Sequence, residues 1–201
     1  AAATQFNWTY DSVVPTMTFA PANNDIRVAV DSSITLTFTE AVRNIDDSAL
    51  TITNLGQLIT LKVGDANGAD IDFEATIDGS VITINPTTNF SSEQNIYVAI
   101  GTTVEDASNN AIIAANATFT TADIIAPTLT SVSIASNNST ITTGNIGDVV
   151  TLTIIASEAI VAPVVTFQSG RVSIADTSIT YVYAAGNTWT ASYTIHEDDT
   201  L

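Results

Sequence analysis

Acidic side chains are the largest group of potentially reactive or metal-binding residues in this sequence. The 201 residues include 21 Asp and Glu against 4 Lys and Arg, which gives a formal net charge of −17. Carboxylate oxygens are preferred ligands of calcium and other hard divalent cations. So few cationic residues exclude nucleic acid binding, which needs Lys and Arg to neutralise phosphates, and an anionic membrane surface would repel the chain. The carboxylates therefore either bind a cation or keep the protein soluble by mutual repulsion.

Residue types that support catalysis are scarce. There is no cysteine, so the chain has no disulfide, no thiolate metal site and no cysteine nucleophile. The single histidine, His196, lies in the sequence His-Glu-Asp-Asp, where an exposed polar residue entering a turn is favoured over a metal ligand or a general base. No Gly-x-Ser-x-Gly, P-loop or His-Glu-x-x-His motif occurs. The sequence indicates a protein that is not an enzyme.

The two tryptophans and residues 65–72 could each bind a ligand, but each also has an ordinary structural interpretation. Trp8 and Trp189 could stack on sugars, but each lies on the apolar side of an alternating segment, which favours packing in a core. Residues 65–72 have the composition of a calcium loop without the spacing of an EF-hand. A solvated turn between two strands is the favoured interpretation of that segment.

Strands must position these side chains, because apolar and polar residues alternate along much of the chain. Thr, Ile and Val together account for 74 of the 201 residues, and β-branched side chains suit a pleated sheet. An alternation of period two indicates half-buried strands, and Asn, Asp and Gly at the breaks indicate turns, which together predict an antiparallel sandwich with essentially no helix. No run of 18 apolar residues occurs. The alternating segments are residues 34–38, 71–77, 96–100, 150–154, 179–183 and 189–195.

The sequence also repeats itself. Residues 11–16, Asp-Ser-Val-Val-Pro-Thr, resemble residues 123–128, Asp-Ile-Ile-Ala-Pro-Thr, at a displacement of 112. Residues 34–42 resemble residues 150–160 in the same way, at a displacement of 116 to 118. A period of this size is typical of tandem sandwich domains of roughly 100 residues. We predict one sandwich at residues 15–122 and a second at residues 123–201, preceded by a separate segment at residues 1–14.

These motifs resemble a known family. Five motifs are similar to those of bacterial Ig-like domains of large surface adhesins and S-layer-type proteins. They are a Pro near the start, an Asn-rich turn, an Ile-Thr-Leu-Thr-Phe strand followed by Glu-Ala-Val, an Asp-x-x-x-Asn turn and a closing Phe-Thr-Thr. Residues 15–122 carry all five motifs, although Asn109-Asn110 stands where the family usually has Gly-Asn. Residues 127–201 resemble a related repeat less closely. The resemblance implies tandem Ig-like sandwiches in an extracellular or cell-surface protein.

Both ends of the chain depart from this repeat. Residues 127–201 are shorter than the period of 112, so the second sandwich is predicted to lack its last strands. Residues 5–10 alternate Phe6, Trp8 and Tyr10 with polar residues. They precede the repeated segment at residues 11–16, where a closing strand of an earlier repeat would lie. One interpretation is a piece of a long tandem array. The other is strand donation, in which this segment fills the gap in the second sandwich of the next subunit.

The predicted topology gathers acidic residues at one pole of the first sandwich. In an Ig-type sandwich, the first strand starts at the pole where the B–C and F–G loops turn. Asp11 lies at the domain entrance, Glu40 ends the second strand, and Asp106 and Asn109 lie in the predicted F–G turn. Four oxygen-bearing side chains therefore form a predicted calcium site, with solvated acidic turns as the alternative.

The second repeat has corresponding acidic positions. Asp123 lies at its entrance, and Glu158 lies at its B–C position. The adhesin resemblance also implies calcium sites at such junctions. Calcium is therefore the expected cofactor, with a structural role.

The sequence favours one function and leaves two alternatives open. The favoured function is a non-catalytic structural extender, or stalk segment, of a long extracellular or cell-surface protein. The first alternative is a subunit of an extracellular filament built by strand donation, and the second is an adhesin module that binds a glycan or a protein. The expected partners are neighbouring Ig-like repeats or copies of the chain itself, with a possible surface ligand that the sequence does not identify.

Overall fold

The alternating β-branched segments form strands in both halves of the chain. The computed structural model describes residues 10–169, 171–174 and 178–199. The chain divides into two compact units, Ala1–Ile124 and Ile125–Leu201, which we call the first unit and the second unit.

The first unit contains two four-stranded sheets. One sheet has the strand order β1-β3-β7-β6 and is antiparallel throughout. Its strands are β1 (Met17–Ala20), β3 (Ile34–Phe38), β7 (Val81–Pro86) and β6 (Phe73–Asp78). The other sheet has the order β2-β10-β8-β5, with β2 (Asp25–Val28), β10 (Ala115–Thr121), β8 (Asn95–Ile100) and β5 (Ile59–Val63). In this sheet β2 and β10 are parallel and the other pairs are antiparallel.

Alternate residues of both sheets form one core between them. Ile34, Leu36, Ile82 and Ile84 of the first sheet are fully buried, as is Ile96 of the second. The predicted all-β sandwich is therefore confirmed, and the alternation of residues 34–38 marks a core strand as expected. The parallel pair is a detail of the topology that the sequence pattern does not show.

Three smaller elements complete the described part of the first unit, residues 10–124. A short antiparallel pair joins β4 (Arg43–Asn44) to β9 (Val104–Glu105). The expectation of essentially no helix misses one element, the seven-residue helix α1 (Ile52–Leu58). The side chain of Asn54 accepts a hydrogen bond of 2.8 Å from the backbone N–H of Thr51 at its start, and Leu55 is buried. A helix this short shows too few turns to reveal a period of 3.6 residues.

The second unit repeats the first sheet of the first unit. Its four-stranded antiparallel sheet has the order β11-β12-β16-β15, formed by β11 (Leu129–Ser136), β12 (Val149–Ala156), β16 (Thr188–Thr194) and β15 (Thr180–Ala185). In place of a second four-stranded sheet, its described residues form only the pair β13 (Gln168–Ser169) and β14 (Val172–Ser173). A smaller core contains Ile154, Phe167, Ala191 and Tyr193. The predicted strand at residues 5–10 lies outside the described residues except for Tyr10.

Candidate metal centre in the first unit

The loop that follows β9 is built around the side chain of Asp106. Its Oδ1 atom accepts hydrogen bonds from the backbone N–H groups of Ser108 and Asn110, at 2.7 and 2.9 Å. Its Oδ2 atom accepts a bond of 2.8 Å from the side-chain amide of Asn110. Asn109 takes the left-handed backbone conformation, with φ of 67°, which Asn tolerates better than most residues. The side chain of Asp106 is therefore held in place and buried, with its residue only 1% exposed.

Asp11 and Glu40 bring two more carboxylates to the same place. Glu40 lies two residues beyond the end of β3, and Asp11 lies in the segment that leads to β1. The Asn110 side chain donates a hydrogen bond of 3.2 Å to the backbone oxygen of Asp11, which fixes that segment against the loop. One carboxylate oxygen from each of Asp11, Glu40 and Asp106 lies within 4.8 Å of the other two. Asp11 is exposed and Glu40 half-buried, so the group opens to solvent.

The ionised form of Asp106 is stabilised within this group. Burial acts to raise the pKa of this carboxyl. Hydrogen bonds from Asn110 and Ser108, together with the positive charge of Arg43, outweigh burial and hold the pKa below its ordinary value of 3.8. The side chain is therefore a carboxylate at neutral pH and carries the negative charge that a cation ligand needs.

Arg43 is a charged residue beside this group that the sequence interpretation missed. From strand β4, its guanidinium pairs with Asp47 at 2.5 Å and lies 3.4 Å from Glu105. It also donates a hydrogen bond to the side-chain oxygen of Asn109. Asn109, predicted as a cation ligand, is thus in the right loop, but its oxygen bonds to a guanidinium. The sequence feature that could have singled out Arg43 is its rarity, because the chain has only four Lys and Arg residues and this one immediately follows Glu40-Ala-Val.

The donor atoms fit a hard cation that keeps part of its water shell. A carboxylate offers about four lone-pair sites, of which Asp106 uses three for hydrogen bonds and Asp11 uses one to accept the backbone N–H of Val13 at 3.0 Å. Calcium takes about 6–8 oxygen ligands, so three carboxylates would need to be completed by water. Asp11, Glu40 and Asp106 would hold such an ion, and its charge would offset the repulsion among them.

Asp123 and Glu158 do not belong to this group. Asp123 lies at the other end of β10, where its Oδ1 atom accepts a hydrogen bond of 2.9 Å from Ser92. Glu158 lies two residues beyond the end of β12, in the second unit. Among residues 10–169, 171–174 and 178–199, no other set of three acidic or histidine side chains lies as close together as the group in the first unit. The calcium site stays a prediction, and three of its six named residues, Asp11, Glu40 and Asp106, lie close together.

The remaining candidates occupy ordinary structural positions. Asp65 accepts a hydrogen bond of 2.7 Å from the backbone N–H of Asn67 in a tight turn. Gly68 is required in that turn, because a Cβ atom there would lie 1.6 Å from the backbone oxygen of Val63. Trp189 packs against the core of the second unit, whereas Trp8 lies outside the described residues. His196 is exposed, with its ring 5.7 Å from that of Tyr193.

Comparison with known proteins agrees with this architecture. Residues 11–121 match the family model of the bacterial Ig-like domain, which covers more than half of the chain and both sheets of the first unit. Domains of this family are generally non-catalytic structural modules, typical of surface and extracellular proteins. No curated protein matches the chain. Within the part of the chain that the structure describes, no helix is long and apolar enough to cross a membrane.

Proposed function

Because this chain belongs to the bacterial Ig-like domain family, we propose that it is a structural extender, a stalk segment that bears load between two parts of an extracellular assembly. The observation that carries this proposal is the parallel pairing of β2 with β10 in the first unit. β2 lies near the start of the unit and β10 is its last strand, so this pair ties the two ends of the unit together.

Both backbone and side-chain hydrogen bonds join these two strands. The backbone N–H of Asn24 donates to the oxygen of Thr118 at 2.6 Å, and that of Ala122 donates to the oxygen of Val28 at 2.7 Å. The side-chain oxygen of Asn23 accepts a bond of 2.9 Å from the backbone N–H of Thr118. We call this group of contacts the β2–β10 clamp.

The geometry of the clamp suits resistance to stretching. Asp11, before β1, lies beside Asp106 at one pole, whereas Asp123, after β10, lies beside Ser92 at the other. A pull on the two ends of the unit therefore acts on β2 from its start and on β10 from its end. In a parallel pair these forces run along the strands, so the interstrand hydrogen bonds are loaded together rather than one after another.

Single-molecule stretching tests this role. A chain tethered by its two ends should unfold in two steps, with the shorter second unit yielding at the lower force and the first unit resisting longer. Asn23→Ala removes the two hydrogen bonds that its side-chain oxygen accepts from the backbone N–H and the hydroxyl of Thr118. Their loss costs about 1–2 kcal/mol and should shorten the lifetime of the first unit under load at least about fivefold. Asn85→Ala, which removes a 2.6 Å bond with Ser33 outside the clamp, is the matched control. If both variants behave like the native chain, or if the first unit yields at the lower force, the extender proposal is wrong.

In this function the predicted cation has a structural role. Calcium bound by Asp11, Glu40 and Asp106 would join the entrance segment to the loop after β9 and to the end of β3. This connection would lie where the load enters the first unit. Support comes from the closeness of the three carboxylates and from the ionised state of Asp106.

A filament subunit is the second candidate, and one observation favours it. The second unit has a four-stranded sheet whose inner side chains are incompletely covered, as on β11, where Val132 and Ile134 expose 54% and 61% of their surface. Strand donation between subunits would supply such a cover. The adhesin module has no comparable support among the described residues.

A further inference from the structure

Strand β11 forms one edge of the sheet in the second unit. It pairs with β12 on one side, and no strand among the described residues pairs with its other side. Seven of its eight residues are exposed, and only Ser136 at its end is buried. The strand is therefore accessible along nearly its whole length.

The backbone hydrogen bonds of β11 show which of its polar groups face outwards. The N–H of Asn137, just after the strand, donates to the oxygen of Val149 in β12 at 3.0 Å, whereas the N–H of Ser136 donates to the loop that follows at 2.9 Å. Because the two directions alternate along an antiparallel strand, the N–H and C=O groups of Val132 and Ile134 also point away from β12. No hydrogen bond joins these groups to any residue that the structure describes.

The β11 edge lacks the features that hinder strand pairing at other edges of the molecule. Exposed edges usually carry prolines, charged residues or an irregular register. In the first unit the corresponding strand β1 has four residues between Pro15 and Pro21, and β6, at the other edge of that sheet, contains Glu74 and Asp78. The register of β15, the other edge in the second unit, is interrupted near its end. By contrast, β11 has no proline or charged residue, and its register is regular over its last six residues.

A second copy of the same strand matches this edge. Two identical edges related by a twofold axis run antiparallel, so each residue meets a fixed partner in the other copy. With Ser133 on the axis, Val132 of each copy lies opposite Ile134 of the other, and each such pair can exchange two backbone hydrogen bonds. Both side chains are β-branched and more than half exposed, and cross-strand pairs of this kind stabilise a sheet. The two Ser133 side chains meet on the opposite face of the sheet.

We propose that two copies of this chain associate through β11, paired antiparallel about Ser133, so that their four-stranded sheets join into one. The pairing gives the extender proposed above a surface for self-association, and it does not depend on how the first unit resists force. A contact along one strand edge is smaller than the roughly 1,200 Å² of a standard stable interface, so the dimer should be weak.

The net charge opposes this association from outside the contact. Each copy carries a formal net charge of −17, whereas β11 itself contains no ionisable side chain. Salt limits the reach of such repulsion to about 10 Å at an ionic strength of 0.1 M. The dimer should therefore become stronger as the salt concentration rises, whereas a contact held by ion pairs would become weaker.

Sedimentation of the 201-residue chain tests the proposal at protein concentrations up to about 1 mM, where even weak contacts are populated. The native chain should form dimers, more readily at high salt. Ser133→Lys and Ser133→Glu should each dimerise at least about fivefold more weakly, because like charges then lie directly opposite each other. Thr180→Lys, an exposed position on the other edge of the same sheet, is the matched control and should dimerise normally.

A mixture of the two charged variants separates a lost contact from a lost fold. Ser133→Lys and Ser133→Glu chains, mixed in equal amounts, should form heterodimers about as readily as the native chain dimerises, because opposite charges then face each other across the axis. A variant that had failed to fold would not recover its association in this way.

Amide exchange in the native chain tests the contact without any substitution. On going from low to high protein concentration, the amides of Val132 and Ile134 should become protected. Those of Ser133 and Ala135, which face β12, should not change.

Four results would overturn the proposal. If the native chain stays monomeric at high salt over the whole concentration range, β11 does not pair. If both Ser133 variants dimerise as the native chain does, the contact lies elsewhere, and if Thr180→Lys prevents association instead, β15 forms it. If the mixture of charged variants fails to associate, the two strands do not meet at Ser133.

Discussion

The two units have the same four-stranded sheet and differ in what covers it. In the first unit a second sheet packs on the inner face, and Leu36 and Ile82, which pair in register, have no exposed surface. In the second unit the corresponding pair is Leu152 and Ala191. Ala191 is fully buried, but Leu152 is only half-buried.

This difference shows that a four-stranded sheet can form without its inner face being fully buried. Four paired strands form in the same order in both units, and alternation along each strand specifies which of its side chains face the core. Burial needs a second layer, because a sheet with one apolar face must pack that face against another element. Most of the stability should therefore lie in the first unit.

The largest expected effect is on core stability. Leu36→Ala should cost about 2–5 kcal/mol of unfolding free energy in the first unit, because it leaves a cavity in a sealed core. Leu152→Ala should cost about half as much or less in the second unit, since its surroundings are partly open to water. Hydrogen exchange with peptide resolution would measure the two units separately. Equal losses would contradict the difference in core sealing.

The next effect is stabilisation of the first unit alone by calcium. At a calcium concentration of about 100 times Kd, binding to the folded state adds about 2.7 kcal/mol to its unfolding free energy. Titration calorimetry and thermal unfolding of the first unit should both report binding, and Asp11→Asn with Glu40→Gln should remove it. Asp123→Asn is the control and should bind normally. Calcium binding that survives the double substitution would place the ion elsewhere.

The pH dependence should distinguish the units at high pH. Burial, the hydrogen bond to Asp199 and nearby negative charge raise the pKa of Tyr193 above 10.0. The contribution of Tyr193 to the unfolding free energy of the second unit is therefore fully present below pH 10.0 and is lost as pH rises through the raised pKa. The first unit should lack this particular loss. The fluorescence emission of Trp189, in a chain that also carries Trp8→Phe, would report the unfolding of the second unit. Tyr193→Phe should remove the loss of stability at alkaline pH.

At low pH both units should weaken. The pKa values of Asp106 in the first unit and Asp148 in the second are lowered from 3.8. Their contributions are therefore present above pH 3.8 and are lost as pH falls through the lowered values. For Asp148 the main cause is the hydrogen bond from Asn138, followed by that from Asn145. Asp106→Asn should reduce the acid sensitivity of the first unit only, as measured by hydrogen exchange at pH 3 to 5.

The smallest expected effect concerns a surface ion pair. Lys62 and Asp70 approach to 2.6 Å, but the Asp70 side chain is 83% exposed. Asp70→Ala should therefore change the stability of the first unit by less than about 1 kcal/mol. A loss comparable to that of Leu36→Ala in chemical unfolding would show that polar surface contacts, rather than core sealing, support this unit.

Much of the candidate site follows from sequence order once the sandwich is inferred. Asp11 before the first strand, Glu40 after an alternating strand and Asp106 in a late turn are separated by 29 and 66 residues in sequence. Antiparallel strands return the chain to the same pole, so the pattern was sufficient to predict that they meet. The same reasoning did not reveal that Asn109 bonds to Arg43, because that contact depends on the β4–β9 pair of two residues.

The sequence by itself determined the strands, the repeat and the acidic character of the chain, because alternation, turn residues and charge are local properties. Only the tertiary structure decided that β2 pairs in parallel with β10, that Asp123 lies at the pole opposite Asp11, and that Ile134 remains exposed. The physical reason is that a strand pattern specifies which side chains need burial. The partner that buries them comes from distant parts of the chain or from another molecule, and no local pattern records that choice.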